Sequence, residues 1–484
     1  MNFNAHPSSS VTIQWRPTLL AIAASLLLAA CASAPPGPST GNEALIGGVV
    51  PARVDGITTA AATTESLPSS TPLNWTALVQ DDRLRQIIEL ALAHNRDLRL
   101  AALNIDAARA QYRITEADRL PTLSASAGSN ASRSSTLAGG TGTVSHQYSA
   151  SLGITSWELD LWGRLGKLEE AALSSYLSTQ STRDAVQASL ITEVAQAWLT
   201  VQANQALQDL AQQTLDSRTR SLDLTRRRHD AGAVSGLDMA TAQASMDAAR
   251  ASLASAQTSL AQSENTLRLL VGTHIPETLL TASGVVKNAV ALAPVPEGLS
   301  SSALLNRPDV KSAEQNVQAA LAKVGAARAA LLPTITLTAS AGTASHDLRN
   351  LFSAGSGTWS FAPTIKLPLF DGGASRTAVE LAQITQAIEV TTYEQTVQTA
   401  FKEVADALAE RASIDTRIQA QASLVQAYQR TLSLTEERYR AGAVNSLSVL
   451  DAQRSLYSAQ QSLISLQLAE QGNRLTLYKA LGGA

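Results

Sequence analysis

The chain has 484 residues, with 37 Lys and Arg against 40 Asp and Glu, a formal net charge of −3. That balance excludes the broad basic surface needed to bind nucleic acid, and a lone cysteine, Cys31, excludes an intramolecular disulfide or a cysteine metal site. Aromatic residues make up only 4%, beside abundant Ala, Ser, Thr, Gln and Leu, which suits long helices packed through small side chains better than a bulky globular core.

Residues 1–30 read as an export signal: Arg16 supplies the positive flank and Leu19–Leu28 the apolar stretch, too short and too early for a membrane helix. The stretch ends in Leu28-Ala29-Ala30-Cys31, which resembles a bacterial lipobox, where the cysteine becomes the new N-terminus and is acylated. The only thiol of the chain stands where a lipobox needs it; the alternative is an ordinary secreted protein with a chance cysteine. Ala32 resembles the second-position residue of lipoproteins sorted to the outer membrane. Residues 31–73, rich in Pro, Gly, Ser, Thr and Ala, read as a lipid-anchored tether or surface-hugging extension rather than a domain.

From residue 74 the chain repeats itself at a spacing of about 210 residues. Leu120-Pro121-Thr122-Leu123 recurs as Leu332-Pro333-Thr334-Ile335, and Asn95-Arg96-Asp97-Leu98 recurs around Asn306–Val310. Ala231-Gly232-Ala233-Val234 recurs as Ala441-Gly442-Ala443-Val444. The copies span 74–285 and 299–484, joined through Pro294 and Pro296. Each copy begins with a helical segment (Leu98–Arg119; Asp309–Leu331), continues with two strands (121–130 and 146–158; 333–343 and 357–369), and ends with two long helices (164–230 and 235–271; 374–440 and 445–481). No proline interrupts the long stretches, and glycine is absent from Lys167 to Ala231 and from Ala374 to Ala441. Uninterrupted helices there extend near 100 Å, and each stops at an Ala-Gly-Ala-Val turn, where glycine suits a left-handed cap.

The strands alternate. Ile335, Leu337, Ala339 and Ala341 oppose Thr334, Thr336, Thr338 and Ser340; Tyr148, Ala150, Leu152 and Ile154 oppose Ser149, Ser151, Gly153 and Thr155. Trp359, Phe361, Ile365, Leu367 and Leu369 hold one parity against Ser360, Thr364 and Lys366. This is the pattern of a transmembrane β-barrel with a wet lumen, although one segment alone better fits a half-buried soluble sheet. No mature segment is apolar and long enough for a membrane helix, so a lipid-exposed chain has only strands with which to cross. Four strands cannot close a barrel, so copies must complete it: two copies supply eight strands, three supply twelve. Along Asn445–Leu481, two adjacent heptad stripes, Val449, Leu456, Leu463 and Leu450, Tyr457, Ile464, suit a helix between two neighbours, or one broad face in an ordinary bundle.

Trp157-Glu158-Leu159-Asp160-Leu161-Trp162-Gly163-Arg164, Pro368-Leu369-Phe370-Asp371-Gly372-Gly373 and Arg438–Gln453 together resemble the TolC-like outer-membrane efflux protein family, in its lipoprotein branch of drug-efflux channels. The resemblance covers the mature chain. It implies an α+β membrane protein, a homotrimer with a twelve-stranded β-barrel in the outer membrane and a long α-helical barrel in the periplasm. It also implies an inner-membrane pump, a periplasmic adaptor and passage of small toxic compounds or drugs to the cell exterior, with no catalysis and no cofactor. Exit channels for type I protein secretion or metal-ion efflux are the alternatives within the family.

The same resemblance assigns a periplasmic gate to Leu447, Asp451 and Arg454, whose spacing places them on one helical face. It implies an apolar Leu447 ring, Asp451 and Arg454 pairing between protomers, and a preference for cations at Asp451; without the resemblance, an Asp-x-x-Arg pair is a solvated surface pair. Thr241 is the first-copy counterpart of Asp451. The turns Ala231–Val234 and Ala441–Val444 become adaptor contacts as well as helix caps. His6, His94, His146, His229, His274 and His346 show no metal-ligand spacing.

Overall fold

Two left-handed glycines, Gly163 (φ 72°) and Gly373 (φ 92°), launch the longest elements of the molecule. In the computed structural model, which describes residues 53–54, 74–133, 142–280, 289–291 and 299–483, these are α4 (Arg164–Asp230) and α8 (Ala374–Arg440), 67 residues each and therefore about 100 Å long. A carboxylate serves the free amides at each start. Asp160 accepts from the Leu165 and Gly166 amides at 3.0 and 2.8 Å, and Asp371 from Gly373 and Ser375 at 2.9 Å each. The aspartates of the two sequence motifs are thus helix-start residues.

The remaining elements, in chain order, are β1 (Arg53–Val54), α1 (Trp75–Leu78), α2 (Asp82–His94), α3 (Arg96–Ala117), β2 (Leu123–Arg133) and β3 (Val144–Glu158) before α4. After α4 come α5 (Gly236–Val271), α6 (Glu277–Leu280), β4 (Leu299–Ser300), α7 (Pro308–Ala329), β5 (Thr334–Ser345) and β6 (Gly357–Lys366); α9 (Ser446–Ala480) follows α8. Cys31, the signal segment, the joining prolines Pro294 and Pro296, and most of 31–73 lie outside the described residues. Within 31–73, however, Arg53 and Val54 pair antiparallel with Ser300 and Leu299, so the stretch read as a tether contributes a short strand.

The four-stranded sheet runs β2–β3–β5–β6, all antiparallel, with the outer edges of β2 and β6 unpaired among the described residues. Cross-strand register stacks Leu123, Ile154, Ala339 and Phe361 in one row and Ala125, Leu152, Ala341 and Trp359 in the next, so one face is apolar from edge to edge. The opposite face pairs hydroxyls: Ser126 with Ser151 at 3.0 Å and Ser340 with Ser360 at 2.8 Å. Trp359, Phe361 and Ile365 are 80%, 62% and 70% exposed in the single chain. Glycine is required at the centre, because a Cβ on Gly342 would collide with the Ala150 carbonyl and the Ser151 backbone.

Two details depart from strict alternation. Between Ile154 and Trp157 the register slips by one residue, with Ser156 at φ 53° and its amide donating to Thr338 Oγ1 at 3.1 Å. This bulge brings Trp157 onto the apolar face beside Leu337, against its parity in the sequence. Strand β6 stops at Lys366 rather than 369, opposite Thr334, where its partner β5 begins; Leu367 and Leu369 lie beyond it.

The largest core lies midway along α4. Trp198, Ile191 and Val194 pack there against Leu84, Ile87 and Ile88 of α2, Leu267 and Val271 of α5, and Leu475 and Tyr478 of α9. Trp198 Nε1 and Gln202 Nε2 donate to the Leu279 and Leu280 carbonyls at 3.1 and 3.0 Å, tying α6 to this core. Helix α2, which the repeat pattern does not single out, supplies much of it. Helix α7 lies against both α4 and α8, whereas α3 packs against α4. Among the described residues no helix is long and apolar enough to cross a membrane.

Candidate functional site at the turn end of the helices

The turns set the tip of the molecule. After α4 the Gly232 amide donates to the His229 carbonyl at 2.8 Å and the Ala233 amide to Arg228 at 2.8 Å, with Gly232 at φ 72°. After α8 the Gly442 amide donates to Tyr439 at 3.0 Å and Ala443 to Arg438 at 2.8 Å, with Gly442 at φ 75°. Both are Schellman caps. A Cβ at either glycine would meet nothing within 4 Å, so backbone conformation, not crowding, demands glycine there. Small side chains leave Ala231, Ala233 and Val234, and Ala441, Ala443 and Val444, as low-relief ends of the two hairpins.

The return helices begin with side-chain caps. Ser235 and Asp238 form a capping box on α5, and Asn445 Oδ1 accepts from the Ser448 amide at 3.1 Å on α9. Both caps have a sequence signal, Ser235-x-x-Asp238 and Asn445-x-x-Ser448, that the more conspicuous glycines overshadow. Two contacts then join the hairpins: Ser446 Oγ donates to Asp238 Oδ1 at 2.7 Å, and the Arg228 guanidinium lies 4.9 Å from the centre of the Tyr439 ring. The Ser446 hydroxyl, followed by Ser235, holds the Asp238 carboxyl below its ordinary value.

Further from the tip, Leu447, Asp451 and Arg454 line one cavity of about 360 Å³ between α4, α5 and α9, so the structure brings the three gate candidates together. Leu447 is exposed, and within the single chain Arg454 pairs with Asp451 on its own helix as an exposed i,i+3 pair. Thr241 lines the same cavity from α5. Two further members carry no sequence signal. Arg218 of α4 is buried and donates to Ser245 Oγ of α5. Burial, then the nearby positive Arg454, lowers the pKa of that guanidinium. No local motif announces the pair, because its partners stand on opposite arms of a hairpin.

The model of the family described as "Outer membrane efflux protein" matches residues 87–273 and 299–483, the two copies of the duplication. The toluene efflux pump outer membrane protein TtgC of Pseudomonas putida is 45% identical over 411 residues, covering 84% of each chain. The cation efflux system protein CusC of Escherichia coli is 40% identical over 409 residues, covering 84% of this chain and 88% of that one. The open-state MtrE outer membrane channel of Neisseria gonorrhoeae superposes with a TM-score of 0.81 at 37% identity, covering 90% of this chain and 96% of that one.

Proposed function

The chain belongs to the outer membrane efflux protein family and works as the outer-membrane channel of an efflux pump, and we propose that three copies of it form a passive duct gated at the turn end. One observation carries this reading: a four-stranded sheet with two unpaired edges and an apolar face exposed from edge to edge. In hydrocarbon every backbone group must be paired, so such a sheet survives only when identical neighbours continue the ladder into a closed barrel. Three copies supply twelve strands around a polar, serine-lined interior. Helices α4 and α8 extend the duct away from the barrel into the periplasm.

At the far end, Leu447 of each copy forms an apolar ring, and the Asp451–Arg454 pairs brace it. The low-relief turns Ala231–Val234 and Ala441–Val444 receive a periplasmic adaptor, which links the duct to an inner-membrane pump. Cys31 carries the lipid anchor, supported by its position as the only thiol at the end of an apolar signal; mass spectrometry of the mature N-terminus decides it. The cargo is small toxic compounds or drugs, selected by the pump. Relatives of nearly equal similarity are named for toluene and for cations, which supports a duct that does not choose.

The gate is tested by single-channel recording of full-length protein in planar bilayers. Asp451→Ala combined with Arg454→Ala should raise conductance, since it removes the charged brace above the Leu447 ring. Unchanged conductance removes the gate assignment.

A further inference from the structure

The ends of α4 and α8 are alike in backbone and opposed in charge. A shift of 210 residues lays Arg226, Arg227 and Asp230 on Glu436, Glu437 and Arg440, so each member of the first set falls on its opposite in the second. The first set carries two cations and one anion, an excess of one positive charge; the second carries two anions and one cation, an excess of one negative charge. Each set lies the same distance from its turn, and the Ser446–Asp238 and Arg228–Tyr439 contacts hold the two turns side by side. Arg226, Arg227 and Glu437 are exposed and have no ion-pair partner among the described residues. Glu436 pairs with Arg440 on its own helix at 3.5 Å, and Asp230 has only the neighbouring His229 at 3.8 Å. Residues two apart on a helix point about 200° apart, so Arg226 and Glu437 turn away from the junction that Arg228 and Tyr439 share within the chain.

We propose that the two sets are the two sides of a seam between protomers: Arg226 and Arg227 of one protomer lie against Glu436 and Glu437 of the next, with Asp230 against Arg440. This rests on the reading of three protomers closed in a ring. Hairpin ends of the first and second repeat alternate around such a ring. The side of a first-repeat hairpin that is turned away from its own chain therefore meets the second-repeat hairpin of the neighbour. Two surfaces that differ, repeated head to tail, are what a closed heterologous ring requires. Like ends brought together would set guanidinium on guanidinium or carboxylate on carboxylate, so the seam admits one order of hairpins. Exposed pairs are individually worth little; the pattern registers the tips and repels the wrong order, while the apolar faces higher up hold the ring together.

The test is disulfide trapping in full-length protein in detergent. Asp230→Cys combined with Arg440→Cys should give covalent trimers on oxidation, read on a non-reducing gel, and either variant alone controls for Cys31. In that background Arg226→Glu with Arg227→Glu, or Glu436→Arg with Glu437→Arg, should each lower the trimer yield by roughly twofold or more. All four reversals together should restore it, because the complementarity returns with its sign exchanged. Disulfides confined within one chain overturn the seam. So does the absence of covalent trimers from protein that light scattering shows to be trimeric, which would leave these charges to a periplasmic partner. A yield that neither reversal moves, or that the four together fail to restore, overturns its charge basis. Single protomers in light scattering overturn the three-protomer ring itself, a failure distinct from the others.

Discussion

The two copies of the duplication share a backbone plan and differ in what they leave uncovered. A shift of 210 residues carries the ends of α4, Arg164 and Asp230, onto those of α8, Ala374 and Arg440. On α4 the face toward α7 is Ala171, Ser174 and Ser178, all buried, with Ser178 and Ser312 sharing a hydrogen bond at 2.9 Å. The same positions on α8 are Leu381, Ile384 and Ile388, exposed by 64%, 52% and 57%. Helix α3, the counterpart of α7, likewise exposes Leu100, Leu103 and Ile114. The seam closed inside the protomer is small and polar; the equivalent seam left open is bulky and apolar. Each such side chain gains about 1.5–3 kcal/mol from burial, so α8 of one copy and α3 of the next are suited to cover each other.

The strongest break of this comparison is charge on the open seam. Ile384→Asp with Ile388→Asp should leave single copies in detergent, read by light scattering, with the melting of the single chain little changed. The equivalent Ser174→Asp with Ser178→Asp should instead lower the melting temperature, because it buries charge within the protomer. Equal behaviour of the two pairs would remove the distinction between the seams.

A smaller difference lies where the helix before the strands meets the end of the return helix. In the first copy Asn95, the N-cap of α3, donates to the Leu270 carbonyl at 2.7 Å. In the second, Arg307 at the N-cap of α7 donates to the Ala480 carbonyl at 3.0 Å and also pairs with Asp309 and Glu403, each at 2.7 Å. Arg307→Ala should cost about 2–4 kcal/mol in chemical unfolding, below the full loss from a broken buried pair because both carboxylates are part-exposed. Asn95→Ala should cost about 1–2 kcal/mol. Burial pushes the Asp309 carboxyl up, but the Arg307 guanidinium outweighs it and the net shift is downward. Its contribution is therefore present above the ordinary carboxylate pKa and lost as pH falls through the depressed one. The gap between the two variants should shrink in acid.

The smallest expected effect sharpens the comparison at the tips, where both copies end in the same turn and meet through Ser446 and Asp238. Ser446→Ala should broaden the distance between spin labels at Ala233 and Ala443 at neutral pH. Acid should do the same to the parent protein, because the depressed Asp238 pKa places the contact above the ordinary carboxylate range and dissolves it as pH falls through the lowered value. A distance distribution identical in all three conditions would show the tips held by other contacts.

Much of the fold is legible in the order of the residues. The glycine-free runs after Gly163 and Gly373 become unbroken helices because nothing in them ends a hydrogen-bond ladder, and strand parity survives because neighbouring residues of a pleated strand point to opposite faces. The bulge at Ser156 is not legible, since a one-residue slip leaves no mark on composition. Helix α2 escapes the repeat pattern, although Leu84, Ile87, Ile88 and Ala91 carry helical spacing and are buried. In the cavity near the turns, Leu447, Asp451 and Arg454 lie on one short helical stretch and their grouping follows from spacing; Arg218 meets them only across a hairpin.

The amino-acid sequence by itself determined the duplication, the kind of each long element and the two-faced character of the strands, because these depend on neighbours within a few residues. Tertiary structure alone decided which of two equivalent helix faces is covered and that Arg218 is a buried cation beside Asp451 and Arg454. Those facts depend on which helix lies against which, and two copies of one local pattern carry no information about their mutual arrangement.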